Sequence, residues 1–338
     1  MVRRGTVAGI VAMSLVLGLT TVAADSARAE EKVLTLVTAF PFDGQAGDKM
    51  HSVQRFIEIF NEKAAGKARI NVVGGPEVVS PFDQLKALQT GQFDMMTSTS
   101  FYFSELRDIQ FYNFLPFDYK IARTGRTTEV LQKVTREIAD VVWLQYSSAG
   151  VSFYMWTKDK PVSKPEDMQG QKIRTFGDMT QPMAETFGLV PTNMPSSEVY
   201  SALRTGLLDG ALRDMLSILV LNEGEFLKYR TEVSFGDIDA ETYISAKTWD
   251  SLSDEVKQIM NESARLAELE GFGWTLGRYA TLEDELAEKY GVEIVPSSPE
   301  LVAAVQEDIL NKVMVDILED SPYKDELVEA FQLESYLE

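Results

Sequence analysis

Two segments of the chain repeat one another. LKALQTGQFDMM at 85–96 and YSALRTGLLDGA at 200–211 share the pattern A-L-x-T-G-x-x-D, and the second begins 115 residues after the first (200 against 85). In each, a helical run ends at Thr and a glycine is free to take the left-handed turn that closes a helix. A short apolar stretch follows, with an Asp placed to tie down the loop. A chain that uses this helix-to-strand unit twice is expected to fold as two similar α/β lobes, and two such lobes facing each other enclose a cleft.

The surrounding sequence keeps the same rhythm. Val33–Ala39 reads as a strand, and Asp48–Ala65 carries Met50, Val53, Phe56, Ile57 and Phe60 at helical spacing before Gly66. Ile70–Val73 reads as a strand, Pro81–Thr90 as a helix stopped by Gly91, and Phe93–Met96 as the next strand. Sheets of this kind bind ligands beyond the carboxyl ends of their strands, so the loops after Ala39, Val73 and Met96 are expected to form the site. From Ser253 to Tyr290 the chain is helix-forming almost throughout, interrupted by Gly271, Gly273 and Gly277. It reads either as one long helix lying across both lobes or as two packed helices with a turn near 271–273. A last strand at 292–295 and helices at about 299–319 and 322–336 complete the expected elements.

Residues 1–29 read as an export signal. Arg3 and Arg4 precede an apolar run from Val7 to Leu19 that is too short for a membrane span, and Ala27-Arg28-Ala29 forms an A-x-A cleavage site. Cleavage after Ala29 and a periplasmic location are expected. Loss of three arginines and one aspartate takes the formal charge from −20 to −22. So acidic a chain repels a phosphate backbone and an anionic bilayer, which excludes nucleic acid as a partner and disfavours membrane insertion of the mature chain. The sequence has no Cys, which removes disulfides, thiol catalysis and thiolate metal sites. With His51 as its one histidine, on the polar side of an early helix and read as surface, a serine or cysteine hydrolase has little to work with. No cofactor or metal is expected.

Five stretches in order carry a family resemblance: LKALQTGQFDMM, FLPF at 114–117, KPEDMQGQKIRT at 164–175, MPSSEVYSALRTGLLDG at 194–210 and KTWDSLSDEVKQIM at 247–260. Together they resemble the DctP-type solute-binding proteins of tripartite ATP-independent periplasmic (TRAP) transporters. The resemblance implies an α/β, two-lobe periplasmic-binding-protein fold with a long helix spanning both lobes. It also implies a monomer that closes on a small organic acid and delivers it to membrane permease subunits for ion-gradient-driven uptake. The expected lobes are 30–151 with 237–270, and 152–236 with 271–338. The binding component of an ABC importer shares the two-lobe cleft but lacks the long helix, and an exported hydrolase is the other alternative.

The resemblance places the main ligand contact on Arg174, in the K-I-R segment. A planar guanidinium grips a carboxylate through two parallel hydrogen bonds, which a lysine cannot do. Lys172, two residues away on a strand, should point to the opposite face. Where relatives commonly carry an Asn after the second D-G, this chain has Arg213. If Arg213 faces the cleft, a ligand with two anionic groups is attractive; if it faces out, it pairs with Asp214 or Asp209. Lys158 is either a second basic contact or a solvated hinge residue. Tyr154 and Trp156 share one strand face and could wall the cleft. Thr99, Ser100, Phe42 and Asp43 on one lobe, and Asn193 and Ser196 on the other, are the remaining candidates.

Overall fold

The computed structural model describes residues 31–42, 48–115, 118–122 and 124–334. The expected leader, its cleavage site and Asp43 lie outside these residues. Eleven strands are present among them: β1 Lys32–Thr38, β2 Ala68–Gly74, β3 Met95–Ser98, β4 Val141–Tyr146, β5 Ser152–Thr157, β6 Lys172–Thr175, β7 Val190–Asn193, β8 Gly210–Asp214, β9 Tyr229–Asp237, β10 Glu241–Ser245 and β11 Glu293–Val295. They form two sheets, ordered β2-β1-β3-β10-β4 and β11-β9-β5-β8-β6-β7. Within the first, β1 runs parallel to β2 and β3, while β10 is antiparallel to both β3 and β4. Within the second, β6 is parallel to β7 and β8, and β5 is antiparallel to β8 and β9. This is a two-lobe α/β architecture.

The repeated segments are structurally equivalent. Helices Gln84–Gln89 and Val199–Thr205 close at Gly91 (φ 77°) and Gly206 (φ 74°), a conformation that costs glycine no Cβ clash. The N–H groups of Gln92 and Leu207 each reach back 3.0 Å to the carbonyls of Ala87 and Ala202. Asp94 Oδ2 then accepts from the N–H of Thr35 at 2.9 Å, and Asp209 Oδ2 from the N–H of Lys172 at 2.9 Å. Thr35 lies on β1 and Lys172 on β6, the parallel neighbours of β3 and β8. The Asp of each repeat therefore clamps its strand to the adjacent one, which fixes how the two strand ends present their loops.

Residues 254–290 form one helix rather than two. Asp254–Tyr290 runs for 37 residues, or about 55 Å at 1.5 Å per residue. Ser253 Oγ caps its first turn by accepting from Val256 N–H, Asp254 and Glu255 favour that end of the dipole, and Gly291 (φ 68°) closes the other. It packs on helix His51–Lys63 and β4 of the first lobe and on helix Met215–Val220 of the second. Gly271 sits where the helices meet: a Cβ there would lie 2.6 Å from Ser52 Cβ, so it serves close approach and not a bend. The C-terminal part also differs from the expected division at 271. Residues 299–320 run as one helical stretch with a π-helical segment at 304–311, and Lys312–Asp320 and Lys324–Phe331 pack on helical residues 104–114 and 125–139 of the first lobe.

Candidate functional site

The chain crosses between sheets at 147–151, after β4, and returns at 238–240, before β10. The two crossings are laced together: Ser147 N–H donates to Ala240 O at 2.6 Å, Ala240 N–H to Ser148 Oγ at 2.8 Å, and Ser152 Oγ to Asp237 Oδ1 at 2.6 Å. A cavity of about 60 Å³ lies against them. It is lined from the first lobe by Phe40, Lys49, His51, Thr99 and Tyr102, from the second by Phe153, Arg174, Phe176, Ser196, Arg213 and Asp214, and by Glu268, Trp274, Thr275 and Tyr279 of the long helix.

Arg174, at the middle of β6, is 2 % exposed. Its Nε donates to Met194 O at 3.1 Å, Nη1 to Leu212 O at 3.3 Å and Nη2 to Tyr102 Oη at 3.3 Å, while the guanidinium lies 4.2 Å from the Phe176 ring centre. Every partner is neutral, and among the described residues no carboxylate pairs with it. Burial pulls its pKa down to about 10, which still leaves it charged at neutral pH. Tyr102 Oη also accepts from Ser196 N–H at 3.0 Å, so this tyrosine of the first lobe bonds both β6 and the turn after β7 in the second.

Arg213 points into the same cavity, but its charge is already matched. Nε donates to Glu223 Oε2 at 2.8 Å, Nη2 bonds Glu223 Oε1, and Nη1 donates to Ser196 Oγ at 2.7 Å. Both side chains are buried. Burial works against the Arg213 charge, and Glu223 more than restores it. The structure thus realises neither of the two expected orientations in full: Arg213 faces inward and pairs, with Glu223 rather than with Asp209 or Asp214. Asp214, next in sequence, takes Lys49 Nζ at 2.9 Å and the N–H of Ser217 at 2.8 Å. Although burial alone would raise its pKa, Lys49, Ser217 and Arg213 hold it at about 2.

Thr99, Arg174, Ser196 and Arg213 are the sequence candidates brought together here. The other described candidates do not line the cavity. Ser100 is turned to Glu241, donating from N at 2.9 Å and from Oγ at 2.9 Å. Trp156 is fully buried with Nε1 donating to Arg213 O at 3.0 Å, and Tyr154 lies under Arg230 at 4.1 Å. Strand alternation was right in grouping these two, but the cavity face of β5 is the opposite one, carried by Phe153. Asn193 is exposed at the end of the edge strand β7, and Phe42 packs half-buried against the main core. Lys158 Nζ donates to Leu203 O at 3.2 Å, neutralising the end of a helix, and Lys172 Nζ likewise reaches Gly206 O at 3.0 Å. His51 is not a bare surface residue: it lines the cavity, stacked on Trp274 at 4.8 Å, and burial lowers its pKa.

Residues 45–316 match the model of the DctP family, described as bacterial extracellular solute-binding proteins of family 7. The chain belongs to this family. Among relatives, the C4-dicarboxylate-binding periplasmic protein DctP of Rhodobacter capsulatus is 25 % identical over 215 residues, 60 % of this chain and 62 % of that protein. The ectoine-binding periplasmic protein TeaA of Halomonas elongata is 33 % identical over 137 residues, 39 % of this chain and 38 % of that protein. The match therefore spans less than two thirds of these relatives' length. The crystal structure of DctP7, a Bordetella pertussis extracytoplasmic solute receptor binding pyroglutamic acid, superposes with a TM-score of 0.73 at 21 % identity, covering 89 % of this chain and 99 % of that one. A TRAP transporter solute-binding protein of Bordetella bronchiseptica gives 0.78 at 14 % identity over 91 % and 92 %.

In this DctP-family chain four lining or supporting residues had no place in the sequence expectations, Lys49, Tyr102, Glu223 and Asp239, and Asp214 entered them only as a partner for Arg213. One signal is legible afterwards. Asp239 falls between Ile238 and Ala240 in FGDIDAETYIS, and a carboxylate set between apolar residues is costly to bury, which makes it a candidate for a ligand-binding role. Among the described residues no helix is long and apolar enough to cross a membrane.

Proposed function

We propose that this chain is the extracytoplasmic solute-binding protein of a TRAP transporter, holding a small organic acid between its lobes with the carboxylate on Arg174. The observation that carries the reading is a fully buried guanidinium with neutral partners only, in a cavity walled by both lobes. A buried charge without a counter-charge is costly, and a ligand carboxylate removes that cost through paired hydrogen bonds. Closure follows because contacts from both lobes exist only in the shut form, so the ligand binds that form better. The crossings 147–151 and 238–240 serve as the hinge. The relatives named for C4-dicarboxylate and ectoine, and the neighbour binding pyroglutamic acid, fit a small acid as cargo. In this reading the protein acts as a periplasmic monomer, catalyses nothing and passes its ligand to membrane permease subunits. The long helix across both lobes favours a TRAP system over an ABC importer.

The test is a thermal-shift screen of the purified protein against C4-dicarboxylates, sugar acids, keto acids and amino acids, followed by calorimetry, since binding to the folded state alone raises its melting temperature. Arg174→Ala is expected to weaken the best acid by about a hundredfold or more, from loss of a charge-assisted, bidentate contact in a dry site. No shift with any small acid, or an unchanged affinity in that variant, would remove the proposal.

A further inference from the structure

The cavity holds a second unanswered group, of the opposite sign. Asp239, 4 % exposed on the returning crossing, spends Oδ1 fully: it accepts from Ser148 N–H at 2.6 Å and from Ser148 Oγ at 2.8 Å. Its Oδ2 is buried without a hydrogen-bond partner among the described residues. Asp239 lines the same cavity as Arg174. Glu268, also lining it, accepts from Tyr146 N–H at 3.2 Å. Behind them Glu241 is bound by Tyr112 Oη at 2.5 Å and by Ser100. The nearby lysine is engaged elsewhere: Lys49 is on Asp214.

A buried carboxylate oxygen with no donor carries a cost, as does a buried guanidinium whose partners are all neutral. One small molecule that fills the cavity meets both. We propose that the ligand is a zwitterion: an acid whose carboxylate takes Arg174 and whose protonated nitrogen donates to Asp239 Oδ2. This rests on the small-acid reading above and narrows it. A dianion would set its second carboxylate beside Asp239 and Glu268, since the Arg213 charge is held by Glu223 and that of Lys49 by Asp214. Because Asp239 also stitches the two hinge crossings through Ser148, a nitrogen bound there bears on the hinge directly, so its contact favours the closed form.

The experiment compares acids matched in shape and differing in the nitrogen: proline against cyclopentanecarboxylate, and 4-aminobutanoate against 4-hydroxybutanoate and succinate. Melting shifts and calorimetric affinities are read on the purified wild-type protein. The nitrogen-bearing member of a pair is expected to bind about tenfold or more tightly, the size of a charged hydrogen bond in a buried site. Asp239→Asn, which keeps the shape and an oxygen to accept from Ser148, should erase that preference by weakening the nitrogen-bearing member far more than its nitrogen-free partner. Equal binding of the pair members, as a water on Oδ2 would give, or tighter binding of succinate, overturns the zwitterion and leaves the acid-binding reading intact. Failure of every acid of either kind removes both. The wild-type comparison decides the matter even if Asp239→Asn does not fold.

Discussion

Lys49 Nζ and the Asp214 carboxylate stand 2.9 Å apart, joining a residue two positions before helix His51–Lys63 in the first lobe to the last residue of β8 in the second. The pair closes over the cavity that both residues line. Removing one member of a buried pair leaves the other uncompensated, at a cost of about 3–5 kcal/mol. Asp214→Asn is therefore expected to lower the melting temperature strongly and to open the molecule, seen as a larger radius of gyration in X-ray scattering. Lys49→Met should be milder in stability, because Asp214 keeps the N–H of Ser217. Equal losses in the two variants would contradict this ordering.

Arg213 and Glu223 bear on the ligand in a different way. Both are buried and bidentately bonded, so Arg213→Met alone strands Glu223 and should cost about 3–5 kcal/mol, whereas Arg213→Met with Glu223→Leu should recover most of the loss. Denaturant titration of the singles and the double closes the cycle. If Arg213 spends its charge on Glu223, the double variant also keeps the wild-type ratio of affinities for mono-acids and di-acids. A changed ratio would instead make Arg213 an anion contact.

Three glycines of the long helix should respond with opposite signs. Gly271→Ala puts a Cβ against Ser52 and is expected to destabilise by about 1–3 kcal/mol, since neither helix backbone can yield cheaply. Gly273 and Gly277 have nothing within 4 Å of the same position, so alanine there should stabilise by about 0.5–1 kcal/mol through helix propensity. Circular-dichroism melts of the three variants separate packing from propensity.

These glycines also show where the sequence stopped being legible. Spacing and caps placed the helix ends near Ser253 and Gly291, but whether Gly271–Gly273 was a break depended on Ser52, more than 200 residues away. The repeat at 85–96 and 200–211 was readable because its cause is local: a glycine turn followed by an Asp that reaches the neighbouring strand. On β5 strand alternation pairs Tyr154 with Trp156 but carries no sign of which side of the sheet faces the other lobe, and the face that lines the cavity carries Phe153. Arg174 came from a motif. Asp239 and Glu223 did not, since a carboxylate becomes part of a site only through a fold that buries it.

Stability should also depend on pH in a direction set by that burial. Burial pushes the Asp239 carboxyl up to about 7 and that of Glu241 up to about 8, with Asp239 adding to the effect at Glu241. In the unfolded chain both ionise near pH ~4. Between there and pH 7–8 the folded protein keeps protons that the unfolded chain has released, so stability falls as pH rises through that window. Asp214, held at about 2, acts oppositely: its contribution is present above the unfolded carboxylate range and is lost as pH falls toward 2. The unliganded melting temperature is therefore expected to peak near pH ~4–5 and to decline toward pH 8. Glu241→Gln should flatten the decline above the peak, and Asp214→Asn the loss below it. A bound nitrogen cation that keeps Asp239 ionised should flatten the upper limb as well, in wild type but not in Asp239→Asn. A melting temperature that rises between pH 5 and pH 8 without ligand would show that the two carboxyls are ionised in the folded protein.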